Sequence, residues 1–400
     1  MGKIIKAGVD KMNLLFDLRK VQPLPNNKFH GGGVYGEAVF FAMLKRTKNF
    51  IGIYDSKLYI NPKILESGIK LCDVNQISPE ELIKKENVDS IFIPVHFGED
   101  KWHEMQFKRY IYVWHDVRWL EMLPPGNMVR YYEGNLKIKT TIRTIIKSIL
   151  PFIRKYLEKK RFEMSKAHYN QFASLKNAEF ITVSEHSKYG IIGFYPHLAK
   201  KNIPVLYSPL DDEQIEQPQS KFEPKSYFLL TSSSRIEKNN LRAVWAFDEI
   251  LSERKDLSFK VILTGVTDEK IFTRNLKNRD KFILLDYIDR AELLSLHKNA
   301  YAFIYPSLSE GFGYPPIQSM KYGVPVAASG TSSIPEICQN AAIYFDPYNV
   351  SEIKNRILQL LNEDIHAEYS ARAIERYKVV SERQRQDLEK LVDFILGNKK

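Results

Sequence analysis

A doubly wound α/β fold in two domains is predicted by three observations. Apolar runs of strand length alternate with longer, helix-length segments along the whole chain. Several of these runs end in glycine- or serine-rich turns that lead straight into helix starts, the pattern of a parallel sheet. The length, 400 residues, suits two domains of about 150–200 residues, each with its own core.

The first domain is expected over 1–210, the second over 222–380, with a terminal helix at about 380–400 crossing back onto the first. Met12–Leu18 (MNLLFDL) reads as the first strand, after a short extra N-terminal segment. His30–Gly36 (HGGGVYG) opens the helix that follows it. Phe50–Tyr54, Ile91–Val95, Tyr110–Val113 and Phe180–Val183 read as further strands. Ser208–Ser226 is polar and acidic, carries three prolines, and reads as the interdomain linker. A second set of strands follows at Tyr227–Thr231, Lys260–Leu263, Phe282–Leu285, Tyr301–Tyr305 and Val324–Ala328. The tail after about Ser351 reads helical and charged.

With 44% apolar and 27% charged residues the chain is globular rather than disordered. Cys72 and Cys338 lie far apart and match no metal spacing, which points to a reduced, cytoplasmic compartment. No signal peptide or run of about 18 apolar residues is present, so neither secretion nor a membrane span is expected. The net charge is +11, and the segment 130–166 supplies +8 of it, from eleven Lys/Arg against three Glu. Apolar residues interleave these charges in the manner of basic amphipathic helices, with Pro151 starting the second. Two readings fit: a patch for the anionic inner face of the plasma membrane, or helices packed on the sheet with solvated basic faces. No nucleic-acid module accompanies the charge, so no nucleic-acid partner is expected.

The chemistry is concentrated in Ala300–Pro347. There a strand ends in Pro306-Ser307, and the turn Glu310-Gly311-Phe312-Gly313 precedes Pro315-Pro316. The prolines suit a first helical turn, and the glycines let main-chain N–H groups approach an anion. Glu310 would repel phosphate, so it is expected to accept hydrogen bonds from sugar hydroxyls. Gly330-Thr331-Ser332-Ser333 ends the next strand and leads into another helix start. Leu229–Asn240 (LLTSSSRIEKNN) places Arg235 and Lys238 after a strand, the cations a diphosphate leaving group needs. Tyr112–Asp116 (YVWHD) ends a strand in His115-Asp116, and His96 follows another strand. In Val183–Ser187 (VSEHS), Ser184 reads as a helix N-cap.

These segments together resemble glycosyltransferase family 4, the group 1 glycosyltransferases, retaining enzymes of the GT-B fold. The family pattern PS-x-x-EGFG-x-P-x-x-E has two glutamates separated by seven residues; here the first is Glu310 and the second position holds Gln318. The resemblance implies that Glu310 contacts the transferred sugar and that residue 318 holds the donor ribose. It implies that Gly311, Phe312 and Gly313 line the donor, and that Arg235 and Lys238 bind its pyrophosphate. A GG-containing loop, here Gly32-Gly33, would line the donor phosphate and acceptor, and His115 would approach the sugar at the reaction centre, with Asp116 fixing its tautomer. His96 and Ser184 are acceptor-side candidates. The stretch at 229–240 departs from the family in carrying serine for glycine and in the closer spacing of its cations.

The implied activity is hexosyl transfer with retention. The donor would be a nucleotide-diphosphate sugar and the acceptor a glycan or lipid-linked glycan. The resemblance is to bacterial enzymes of O-antigen and capsular polysaccharide assembly. No D-x-D occurs in the sequence, so no metal or other cofactor is expected. Two other readings stand beside this one. A catalytically inactive GT-B module that binds a glycan or partner is suggested by Gln318 and the serine-rich loop. An NAD-dependent dehydrogenase is suggested by G-x-G-x-x-G at Gly31, Gly33 and Gly36, with Asp55 following a strand. Against it, twelve residues separate the first strand from the first glycine, where that fingerprint needs a tight turn.

Overall fold

The computed structural model describes residues 13–23, 30–96, 101–122, 151–209 and 220–398. It contains two six-stranded sheets, parallel throughout. The first runs β3-β2-β1-β4-β5-β6, with β1 Leu14–Asp17, β2 Ile51–Tyr54, β3 Lys70–Asp73, β4 Ser90–Ile93, β5 Arg109–Trp114 and β6 Ala178–Thr182. The second runs β12-β11-β10-β7-β8-β9, with β7 Tyr227–Leu230, β8 Lys260–Leu263, β9 Phe282–Leu284, β10 Ala302–Tyr305, β11 Val326–Ser329 and β12 Ala342–Phe345. The central strands are apolar on both faces because helices cover both sides of each sheet.

The strand order reverses between β1 and β4 in one sheet and between β7 and β10 in the other. Chain leaving two such neighbours diverges to opposite faces, which opens a crevice beyond their C-terminal ends. The helices that bear on this crevice are α1 Gly31–Arg46, α2 Arg118–Glu121, α3 Pro151–Ala173, α4 Glu185–Phe194, α5 Asn240–Glu253, α6 Tyr314–Met320, α7 Ile334–Cys338 and α8 Glu363–Ile395. Pro315 and Pro316 fall in the first turn of α6, as their missing N–H groups favour.

Several expectations need correction. The strands begin or end a residue or two from the predicted limits, and β3 and β12, at sheet edges, were not anticipated. Ser208, expected in a solvated linker, is buried, and its carbonyl accepts a hydrogen bond from Gln384 Nε2 at 2.6 Å. Residues 210–219 of the linker and residues 130–150 of the basic segment 130–166 lie outside the described residues. Helix α3 does start at Pro151, and Lys159, Lys160 and Arg161 on it are exposed, as are Tyr156 and Met164. Among the described residues no helix is long and apolar enough to cross a membrane.

Helix α8 runs from one domain to the other. Its first half lies on the second domain, where the Arg376 guanidinium donates to the carbonyls of Ile337 and Glu336. Its last turns lie on the first domain. There Arg46 pairs with Glu389 at 2.9 Å, and Arg109 donates to the carbonyls of Phe394 and Ile395. One apolar cluster joins the two sheets through Tyr35, Tyr207, Tyr305, Phe312 and Leu391.

Candidate active site

Lys238 and Glu310 come from the loops after β7 and β10, the two strands that flank the reversal in the second sheet. Their register, Phe228 opposite Ala302 and Leu229 opposite Phe303, brings these loops side by side. Lys238 ends a short 3-10 turn, Ile236–Lys238, and Asn239 behind it takes a left-handed φ of 59°. The Asn239 side-chain amide bridges the carbonyls of Pro306 and Pro347, so the element after Lys238 is pinned to the loop bearing Glu310.

The two charged groups meet directly. Lys238 Nζ lies 2.5 Å from Glu310 Oε1, with both side chains less than a tenth exposed. Tyr305 Oη accepts from Lys238 at 2.9 Å and donates to Glu310 Oε1 at 2.7 Å, and Ser307 Oγ donates to the same oxygen at 2.5 Å. Burial alone would raise the Glu310 pKa. The Lys238 ammonium, the nearby Arg118 and the hydrogen bonds from Lys238 and Ser307 overcome it and hold the carboxyl at about 2. Glu310 is therefore a carboxylate, with Oε1 bound within the site and Oε2 outside that knot of bonds.

The loop around Glu310 is fastened through hydroxyls. Ser332 Oγ accepts from the Glu310 N–H, and Ser333 Oγ lies 3.0 Å from the carbonyl oxygens of both Glu310 and Phe312, its one proton shared between them. Among the described residues the N–H groups of Gly311, Phe312 and Gly313 carry no hydrogen bond. Gln318 is half-buried on α6, just beyond Gly313.

The first domain closes on this loop at His115. A Cβ at Gly311 would overlap the His115 carbonyl oxygen, so only glycine lets the two domains meet here. Ser184, the N-cap of α4, donates to the Gly311 carbonyl at 2.7 Å, and Ser187 donates to the His115 carbonyl at 2.7 Å. Glu336 on α7 accepts from the Glu185 and His186 N–H groups at the start of α4. His115 Nε2 lies 2.8 Å from the Pro94 carbonyl oxygen and donates to it. Burial lowers the imidazole pKa, the Pro94 carbonyl and Asp116 opposing it, so the ring is neutral with Nδ1 as its acceptor nitrogen. The expected role of Asp116 is corrected. Its oxygens take the backbone and side chain of Arg118, and the Pro94 carbonyl sets the His115 tautomer.

Arg235 is nearly half exposed and pairs with Glu237 at 2.6 Å. Glu237 also receives Arg118 from the first domain at 3.3 Å. His30 caps α1 by accepting from the Gly33 N–H at 3.1 Å. A Cβ at Gly33 would lie 2.8 Å from the Val21 carbonyl oxygen, and Gly36 lies tight against the Val21 side chain. Two glycines of the dinucleotide-like spacing thus serve packing against the preceding loop. Gly32 faces Val95, and Gly31 lies opposite Tyr314 of the second domain. His96 sits apart from this group. It stacks on His168 with Nε2–Nε2 at 3.0 Å, and burial, with His168 and Lys20, lowers its pKa to about 3.

The structure therefore joins Lys238, Glu310, Gly311 and His115, with Arg235 linked to them through Glu237. Sequence reasoning missed Arg118, Glu237, Tyr305, Ser307 and Glu336. Arg118 stands two residues after Asp116 and Glu237 immediately before Lys238, so position was the signal available for these two.

Known proteins resemble this one in sequence and in shape. Residues 211–379 match the family model described as glycosyl transferases group 1. The O-antigen chain mannosyltransferase RfbU of Salmonella typhimurium is 31% identical over 171 residues, which cover 42% of this chain and 46% of that protein. The chain spans about half the length of the curated relatives it matches first. The crystal structure of WaaG, a glycosyltransferase involved in lipopolysaccharide biosynthesis, superposes with a TM-score of 0.64 at 14% identity, covering 96% of this chain and all of that one. The fold is GT-B. Anabaena HepE, solved in complex with UDP and glucose, superposes with a TM-score of 0.61 at 14% identity, over 97% of this chain and 100% of HepE.

Proposed function

We propose that this protein is a retaining glycosyltransferase. It moves a hexose from a nucleotide-diphosphate sugar to a glycan or lipid-linked glycan acceptor, in the assembly of surface polysaccharide such as O-antigen. The observation that carries the reading is the buried Lys238–Glu310 pair, placed where the second sheet reverses its order and faced across the cleft by His115. The matched relatives named as mannosyltransferases make mannose the first sugar to test.

Each group has a task in such a transfer. Lys238 uses two N–H bonds on Tyr305 and Glu310, and its third is left for a phosphate oxygen of the leaving diphosphate. Arg235, at the cleft mouth, adds a second cation, and the Gly311–Gly313 amides add neutral donors. Glu310 Oε2 accepts from a sugar hydroxyl, and neutral His115 accepts from another through Nδ1. The leaving phosphate takes the acceptor's proton on the same face. Positive side chains carry the charge stabilisation, so the reaction is proposed to need no metal. The work is placed at the cytoplasmic membrane face, with the exposed Lys159, Lys160 and Arg161 toward anionic lipid.

A thermal-shift screen of UDP-, GDP-, dTDP- and CMP-sugars tests the reading. One of the three diphosphate donors, and not the CMP-sugar, whose leaving group is a monophosphate, should raise the melting temperature, since saturation at a hundredfold over Kd stabilises the folded state by about 2.7 kcal/mol. The same donor should release its nucleoside diphosphate when acceptor is added. A chain that binds donor without ever releasing the diphosphate would instead be the inactive module, a reading that Gln318 and the Glu237-paired Arg235 favour.

A further inference from the structure

Arg118 lies outside every segment that points to donor or acceptor binding, yet it occupies the centre of the cleft's charge network. It opens α2, directly after the β5 turn, with its side chain 17% exposed. One arm of its guanidinium is fixed in its own domain on Asp116 Oδ2 at 2.7 Å, while the Arg118 N–H donates to Oδ1. The other arm crosses the cleft to Glu237 Oε1 at 3.3 Å. That same oxygen takes Arg235 through Nε at 2.8 Å and a terminal nitrogen at 2.6 Å. The result is a line of alternating charge, Asp116–Arg118–Glu237–Arg235, running from the first domain to the half-exposed Arg235 of the second. At its far side the Glu237 carbonyl accepts from Leu308 N–H at 2.8 Å, which ties the line to the loop holding Glu310.

A carboxylate beside a diphosphate site is unfavourable unless its charge is spent elsewhere. Glu237 is 13% exposed and lies between two guanidinium groups, so its charge is spent on them. The planar fork of arginine suits residue 118 because it reaches two carboxylates in different directions, which an ammonium does less well. We infer that Arg118 is a positioning residue of the transfer: anchored on Asp116, it grips Glu237, fixes Arg235 and holds the donor loop 235–238 against the first domain. The inference rests on the transferase reading, and it assigns closure of the cleft over the donor to a contact between domains.

Steady-state kinetics of the whole chain with its donor tests the clamp. Arg118→Ala and Glu237→Gln should each raise the donor KM about tenfold, the factor that 1.4 kcal/mol of lost coupling gives, with kcat little changed. The double variant should fall well short of the product of the two single effects, because either change alone already removes the Arg118–Glu237 contact. Multiplying effects in the double variant, or an unchanged KM in the singles, would overturn the clamp. So would tighter donor binding by Glu237→Gln, the result if Glu237 merely repels phosphate. Should Arg118→Ala fail to fold once Asp116 loses its partner, the sign of the Glu237→Gln change still decides. Wild-type protein that turns over no nucleotide sugar brings down the transferase reading and the clamp together; wild-type turnover with indifferent variants brings down the clamp alone.

Discussion

The Lys238–Glu310 pair is costly as a device for stability. Desolvating two ions costs several kcal/mol each, and their attraction offsets this only with further hydrogen bonds, here from Tyr305 and Ser307. The pair makes better sense as a charge held ready for a ligand. Lys238→Ala should reduce transfer by about 10²–10³-fold through loss of an electrostatic contact to the leaving group. It should also destabilise the fold by about 3–5 kcal/mol, because Glu310 is left buried without its counter-ion. Adding Glu310→Ala should recover part of that stability and none of the activity. Urea unfolding and donor turnover of the three proteins check this together. Near-normal turnover in Lys238→Ala removes the residue from the mechanism, and a double variant no more stable than the single removes the buried-pair argument.

At the scale of elements, the Glu310–Gly313 turn is shaped by what it must approach. Gly311 has no space for a Cβ because the His115 carbonyl of the other domain stands there. The clash in Gly311→Ala lies across the cleft, so opening the domains relieves it without unfolding either. Transfer should fall at least tenfold, or about 1.4 kcal/mol in the barrier, while the melting temperature moves by only a degree or two. Unchanged kinetics in that variant would show that catalysis does not need this contact. The turn itself was legible in the sequence, as were the strands around it. Strands β7, β8 and β10 are apolar on both faces, and a continuous apolar run bounded by turn residues reads plainly. Of the four edge strands, β6 and β9 were legible as well, and β3 and β12 were not. β3 is Lys-Leu-Cys-Asp, with an exposed Lys70, and β12 is four residues directly after a helix. The site divides similarly. Glu310 and Lys238 belong to patterned turns, whereas the Arg118–Glu237 contact joins residues 119 apart, which no local pattern encodes. Asp116 was misread because the nearest basic partner in sequence, His115, lost to Arg118, whose helical turn brings it back onto the carboxylate.

For the whole molecule, helix α8 decides how far the two sheets behave as one body. Beyond Lys378 it buries Val380, Leu391, Val392 and Ile395. Asp387 accepts from the Tyr207 N–H at 3.0 Å, and Arg383 stacks over the Tyr207 ring. Burying four such side chains is worth about 1.5–3 kcal/mol each, an upper figure near 6–12 kcal/mol in total. Domain stabilities are themselves only about 5–15 kcal/mol net, so removing the last turns of α8 is enough to bring the first domain close to unfolding. A chain ending at Lys378 keeps Arg376 on the second domain and strips Arg109 of its carbonyl acceptors. Calorimetry of the intact chain should show the two sheets melting together, whereas the shortened chain should separate into two transitions with the first domain the earlier. A shortened chain that melts once, at the temperature of the intact one, would mean that the sheets are coupled through the cleft contacts alone.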